Sequence, residues 1–335
     1  MKTLNVLYQS SNYYAPITGV SITSLFENNK NIDIINIYFL NDNLSDININ
    51  KFNETCKKYN RNIFFINTDQ ISDKLKKLNV PLFHGSYTTY FKLFAVNEIN
   101  IPTDRILYID SDTIIIGSLV NLIDLNFEDN LLAMVYDNVP GDLKVLIDIS
   151  LNEKYYNAGI ILFNKIKWIK EKCEDEIINY INSGNKYFTD QCLINLLFNN
   201  NIKLLEMYYN ISPSFYIFGI KESLYISSIP TNIFYNYEQI LYAINNPVIH
   251  HCMGGFTGRP WEKNNCHPQK ELFHKYVNLS LWKIENNYKI NWNIFYSIQY
   301  VLYKILPRFI YIFFHKKLLT LFIFFHKYSN INKKK

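Results

Sequence analysis

A chain of 335 residues that is 48% hydrophobic and 16% aromatic has ample material for a real core, either as one large α/β domain with an appendage or as two domains. Its five cysteines (Cys56, Cys173, Cys192, Cys252 and Cys266) are odd in number and scattered, which argues against a disulfide framework and for a reducing compartment. The net charge of +5 conceals an asymmetry: no acid follows Glu285 whereas nine basic residues do, so residues 1–285 stand at −4 and the remainder is strongly basic.

The opening MKTLNVLYQSS runs straight into a strand-like pattern and lacks the long apolar stretch of a signal peptide, so a cytosolic protein is expected. Apolar runs lie at 4–8, 34–40, 63–66 and 106–109, with polar, periodic stretches such as 50–60 and 70–78 between them. That alternation predicts βαβ units around a mostly parallel, buried sheet, with ligands beyond the carboxyl ends of its strands. Further strands are predicted at 131–136, 160–163 and 247–250, helices at 165–182 and 190–198, and irregular structure over 205–245. The body is predicted to end near residue 280.

The run RILYIDSDTIII is interrupted by two carboxylates, Asp110 and Asp112. Burying unpaired charge is costly, so the pair needs a reason. Residues i and i+2 of an extended chain point the same way, and two hard oxygen ligands converging past a strand end suit Mg²⁺ or Mn²⁺ holding substrate phosphates. A solvated turn is the plainer alternative. Two enzyme classes carry such a pair. Phosphatases of the haloacid-dehalogenase type use the first Asp as a nucleophile. They usually continue D-x-D-G-T, whereas this chain reads Asp-Ser-Asp-Thr-Ile, late in an α/β pattern. The other class is the metal-dependent nucleotide-sugar glycosyltransferases.

Five motifs occur in one order: His84-x-Ser86-x-x-x-Tyr90-x-Lys92-Leu93, Leu107-Tyr108-Ile109-Asp110-Ser111-Asp112, Tyr156-Asn157-Ala158-Gly159, Asp190-Gln191, and a His250 cluster closing with Arg259-Pro260-Trp261. Over roughly residues 4–262 the chain thereby resembles the family 8 glycosyltransferases, a retaining group that includes bacterial lipopolysaccharide α-galactosyl- and α-glucosyltransferases. The resemblance implies a GT-A-type nucleotide-sugar-binding α/β fold, with a mostly parallel mixed sheet flanked by helices. It also implies a Mn²⁺ or Mg²⁺ site on Asp110, Asp112 and His250, with His251 a rival for the third place. The UDP-sugar donor would lie along Asp110-Ser111-Asp112 and Asn157-Ala158-Gly159, with Asp190 on its hydroxyls and Gln191 beside the anomeric carbon. Asn157, Asp190 and Gln191 are the candidate catalytic residues.

Tyr8, Ser10 and Asn12 align with the loop that holds uridine, with Ser10 where many relatives carry Asp. His84 and Lys92 also fall in the donor set. Lys92 replaces a frequent Arg and would give the diphosphate a point charge instead of a fork. The loop Met253–Arg259 is about three residues longer than the family spacing, and with Gly255 and Arg259 it reads equally as a lid over the diphosphate or as a flexible surface loop. Cys252, Cys266 and His267 fit no zinc spacing.

Residues 292–328 are dominated by Phe, Tyr, Ile and Leu interrupted by cations, and no uninterrupted apolar run reaches the ~18 residues that span a bilayer. Residues 286–335 are therefore predicted to be a basic, aromatic, amphipathic helical tail on an anionic membrane surface, broken by Pro307 into two short helices. Packing of that tail on the body is the alternative. No nucleic-acid partner is expected, since the apolar content greatly exceeds what phosphate contacts need.

The expected protein has a GT-A catalytic domain (1–280) and a membrane-associating tail (286–335). It would move galactose or glucose from a UDP-sugar to an oligosaccharide or lipid-linked saccharide at the inner face of the cell membrane, in lipopolysaccharide or lipooligosaccharide synthesis. A haloacid-dehalogenase-like phosphatase with Asp110 as nucleophile, or a non-catalytic membrane-bound sugar-nucleotide binder, are the alternatives.

Overall fold

Alternating apolar runs and polar, periodic stretches build strands and crossover helices. The computed structural model describes residues 1–335 apart from 84, 100–102, 148, 285–287, 290–293 and 333–335. In chain order the strands are β1 (Thr3–Ser11), β2 (Ile34–Asp42), β3 (Asn62–Asn67), β4 (Arg105–Ile109), β5 (Thr113–Ile115), β6 (Leu132–Tyr136), β7 (Tyr156–Asn164), β8 (Ile202–Leu204) and β9 (Ile249–His251). Seven of them form one sheet in the order β3-β2-β1-β4-β7-β6-β8. The first four strands run parallel, which requires crossover connections between them; Ala15–Asn28 connects β1 to β2 and Asp46–Lys58 connects β2 to β3.

β7 reverses direction against β4, and β6 is antiparallel to β7. That reversal places the site. The carboxyl ends of β1, β4 and β6 and the amino end of β7 meet at one edge, because an antiparallel strand begins where its neighbours end. The remaining two strands, β5 and β9, pair antiparallel as a separate ribbon, with Thr113 opposite His251 and Ile114 opposite His250. The apolar TIII after the aspartates is therefore a new strand and does not prolong β4.

The core is dense in large side chains: Trp168, Phe26, Phe39 and Phe163 are fully buried. At its margin Trp282 lies against Gly19, where an added Cβ would fall 2.2 Å from the indole ring. The same indole packs on Phe52 at 4.7 Å and donates from Nε1 to Asn48 Oδ1 at 3.0 Å. These contacts anchor the chain close to the predicted end of the body.

Two predicted elements differ. The helix expected at 165–182 is two helices, Lys165–Lys170 and Cys173–Asn182, separated where Lys172 takes a φ of 54°. Residues 205–245 are more ordered than expected and contain helices Ser214–Phe218, Ile220–Ser227 and Tyr237–Asn245. The last opens with a capping box between Asn236 and Gln239; the others are too short to show a helical period.

After the body come helices Ile294–Ile305 and Arg308–Asn332, broken at Pro307 as the sequence predicts, although the second is 25 residues and not short. One side is docked. Tyr311 and Ile312 cluster with Phe218, Ile226 and Phe256, and His315 is buried beside the Tyr311 hydroxyl at 3.1 Å. The other side exposes Ile298, Ile305, Phe309 and Phe313. Among the described residues no helix is long and apolar enough to cross a membrane.

Candidate active and metal site

Asp110 leaves the carboxyl end of β4 with its N–H donating to Gly159 O at 2.8 Å. Ser111 Oγ donates to Gln9 O at 2.6 Å and Thr113 Oγ1 to Asp110 O at 2.8 Å. Cys252 N donates to Asp112 O at 2.7 Å. The turn is thus fastened to β1, β7 and β9, and the two carboxylates are held convergent. The imidazole of His251 meets them, with Nε2 at 3.6 Å from Asp110 Oδ2 and 3.2 Å from Asp112 Oδ1. One ligand atom from each of the three lies within 4.8 Å of the others.

The histidine at this site is His251, and this corrects the expectation of His250. Successive strand residues face opposite sides, so a pair in β9 can offer only one member to the aspartates. His250 turns instead into a buried setting against the Tyr216 ring at 5.4 Å, where burial lowers its pKa to about 4. His251 Nδ1 lies 3.1 Å from Asn210 Oδ1, and Asn210 Nδ2 donates to Asn157 Oδ1 at 2.8 Å. An acceptor behind Nδ1 favours the tautomer that leaves the Nε2 lone pair free as a ligand. Gly159 is required for this: a Cβ there would sit 2.3 Å from His251 Cε1. Two carboxylates and an imidazole oriented from behind are a donor set that fits Mn²⁺ or Mg²⁺.

Charge around the site is balanced in pairs. Arg259 reaches Asp112 through Nη1 and lies over the Trp261 ring at 5.3 Å. Burial alone would raise the Asp112 carboxyl, but His251 and Arg259 outweigh it and hold that group below the ordinary carboxylate range. Lys92, 2% exposed, lies 2.7 Å from Asp190 Oδ2 and 3.7 Å from Asp110 Oδ1, and donates to Ala158 O at 3.2 Å. Burial works against its charge, and the two carboxylates overcome that and raise its pKa. Lys92 is therefore paired with Asp110 and Asp190 within the cleft lining.

Asp137 was not singled out in the sequence. It directly follows β6, and its Oδ2 accepts from Asn157 Nδ2 at 2.8 Å and from Gln191 Nε2 at 3.0 Å. Burial raises its pKa despite those donors. The signal was available, since Asp137 ends an apolar run just as Asp110 does; Asn210 offered none. Gln191 also accepts from Ala158 N at 3.0 Å, and Asp190 Oδ1 accepts from Thr89 Oγ1 at 2.7 Å.

A cleft of about 700 Å³ gathers Lys92, Asp110, Asp112, Asp137, Asn157, Ala158, Gly159, Asp190, Gln191, His251 and Arg259. Other expected donor residues lie apart from its lining. Tyr8 is a correction: it is fully buried and its hydroxyl pairs with Ser21 Oγ at 3.0 Å, since its position in β1 faces the core. Ser10 is buried and accepts from Thr18 Oγ1 at 2.9 Å, while Asn12 holds Ser45 N at 2.9 Å. Ser111 acts through the backbone of Gln9, and Gly255 has open space where a Cβ would stand. His84 lies outside the described residues.

The sequence profile described as glycosyl transferase family 8 matches residues 5–265. The lipopolysaccharide 1,2-glucosyltransferase of Escherichia coli strain K12 is 28% identical over 289 residues, covering 84% of this chain and 79% of that protein. The lipopolysaccharide 1,3-galactosyltransferase of Salmonella typhimurium is 27% identical over 217 residues, or 62% of this chain and 63% of its own length. Among solved structures, the galactosyltransferase LgtC in complex with donor and acceptor sugar analogues matches with a TM-score of 0.65 at 21% identity, covering 84% of this chain and 97% of that one.

Proposed function

The chain belongs to glycosyltransferase family 8 and has a GT-A fold, and from that premise we propose that it transfers galactose or glucose from a UDP-sugar to a saccharide acceptor, with retention of anomeric configuration, in lipopolysaccharide or lipooligosaccharide assembly. One observation carries the reading. Asp110, Asp112 and His251 converge at the carboxyl edge of the sheet, in the same cleft as Asn157, Asp190 and Gln191.

A divalent metal on Asp110, Asp112 and His251 would supply Lewis-acid stabilisation of the departing diphosphate. The chain's own groups do the rest. Arg259 brings a cation to the same spot, and Lys92 positions Asp110 and Asp190. Asp190, oriented by Thr89 and Lys92, faces the donor sugar hydroxyls in this reading, and the carboxyl end of β1 near Ser10 and Asn12 takes the uridine. Gln191 is bonded at both ends of its amide, to Ala158 and Asp137, and so stands as a fixed neutral dipole. A dipole held this way is a poor nucleophile, which favours a same-face displacement through an oxocarbenium-like transition state. The segment Met253–Arg259 serves as a lid over the diphosphate.

A phosphatase with Asp110 as nucleophile is disfavoured: the family match spans the body, and Tyr108 and Lys92 already engage the Asp110 carboxylate. In this reading the tail beyond residue 286 brings the enzyme to the inner face of the membrane. Its exposed Ile305, Phe309 and Phe313, with Lys304 and Lys317 nearby, support that placement.

Titration calorimetry with UDP tests the metal site. We expect UDP to bind at least ~tenfold more tightly with Mn²⁺, and Asp112→Asn to remove that gain. Equal affinity with and without metal would sink the reading. Metal-dependent release of hexose across a panel of UDP-sugars then names the donor.

A further inference from the structure

The lining of the catalytic cleft divides by chemistry. The carboxylates and amides named above, with Lys92 and Arg259, have roles in that reading, whereas Leu82, Phe83, Leu143 and Phe188 line the same cleft and have none. Three of these are well exposed, Leu82 by 55%, Phe83 by 44% and Phe188 by 37%. They therefore form its lip and not its floor. A saccharide gains less from such a lip than a hydrocarbon does: a pyranose can lay a C–H face on Phe83 or Phe188, but its hydroxyls find no partners on aliphatic and phenyl surface. A hydrocarbon chain gains about fourfold in affinity for each methylene removed from water.

A second observation says where that chain comes from. The cleft wall bearing Leu143 is the helix Gly141–Leu146, and the tail helix Arg308–Asn332 packs against it. Lys144 braces the wall by donating to Leu151 O at 2.9 Å and Glu153 O at 2.7 Å. The exposed face of the tail, with Phe309 and Phe313, thus belongs to a helix that adjoins the cleft.

Resting on the glycosyltransferase reading, we propose that the lip formed by Leu82, Phe83 and Phe188 is a subsite for a hydrocarbon chain attached to the acceptor saccharide. The acceptor is then an amphiphile whose sugar reaches Asp137 and Gln191 while its lipid crosses the lip toward the tail.

The test compares methyl and n-octyl β-D-glucoside, below the micelle concentration of the latter, as effectors of Mn²⁺-dependent UDP release from UDP-glucose and UDP-galactose. A glycoside seated at the lip changes UDP release whether it accepts the sugar or shuts out water. The octyl compound should half-saturate at least ~tenfold below the methyl compound, and Leu82→Ser with Phe83→Ser should reduce that ratio to within about threefold. Phe188→Ser provides an independent second variant. Equal half-saturation of the two glycosides, no effect of the octyl compound, or a ratio unchanged in both variants overturns the subsite. If the protein releases no UDP at all, the glycosyltransferase reading fails instead. Saturation-transfer NMR on octyl-chain protons, wild type against the variants, then still decides the subsite.

Discussion

At Asp112 a carboxylate, a guanidinium and an imidazole share a poorly solvated setting, and each is tolerable there only because of the others. Removing one member of such a group leaves the rest uncompensated, at a cost of about 3–5 kcal/mol for a buried pair. Adjacent histidines make the site sharply testable. His251→Ala should weaken Mn²⁺ binding by at least ~tenfold, followed by the electron paramagnetic resonance signal of free Mn²⁺. His250→Ala should leave that affinity within about threefold while lowering thermal stability by ~1–3 kcal/mol, as loss of a buried ring does. The opposite pattern would return the ligand role to His250. The sequence showed a histidine pair at a strand end but not its phase, because phase depends on how β9 pairs with β5.

At the scale of elements, the site is made by direction and register. Asn157–Gly159 reach Asp110 because β7 runs against β4, and Asp137 joins them because β6 runs against β7. The helix Ala15–Asn28 packs beside β5 and β1 and is held from outside by Trp282. Gly19→Ala should therefore cost ~1–3 kcal/mol, since the indole has to move and its bond to Asn48 is strained or lost. Chemical denaturation measures this, and a variant as stable as the wild type would show that Trp282 does not lock the body. The short helices over 214–245 could not be read from periodicity because each offers only one or two turns; the docking of their apolar faces decides them.

At the scale of the whole molecule, the two C-terminal helices are half docked and half exposed. Phe218, Phe256, Tyr311 and His315 tie the tail to the body, so the sequence alternatives of a packed helix and a membrane helix are not exclusive. Lys304, Lys317 and the apolar row are exposed, whereas Arg308 and Lys316 bond back to Ile217 O and Tyr225 O of the body. On an anionic bilayer each basic residue near the surface would contribute about 1 kcal/mol. Deleting residues 286–335 should reduce sedimentation with phosphatidylglycerol-containing liposomes by at least ~tenfold, with 0.5 M salt weakening the full chain as well. Unchanged sedimentation of the truncated protein would remove the tail from membrane binding.

By itself the sequence determined the parallel α/β half, the family, the convergent aspartate pair, the break at Pro307 and the division of charge between body and tail. All of these are local in the chain: a period, a motif or a composition. Tertiary structure alone decided that His251 and not His250 faces the aspartates, that Asp137 and Asn210 belong to the site, that Lys92 serves Asp110 and Asp190, and that Tyr8 faces the core. Each of these depends on which face of a strand meets which neighbour, and only the pairing of distant strands fixes that face.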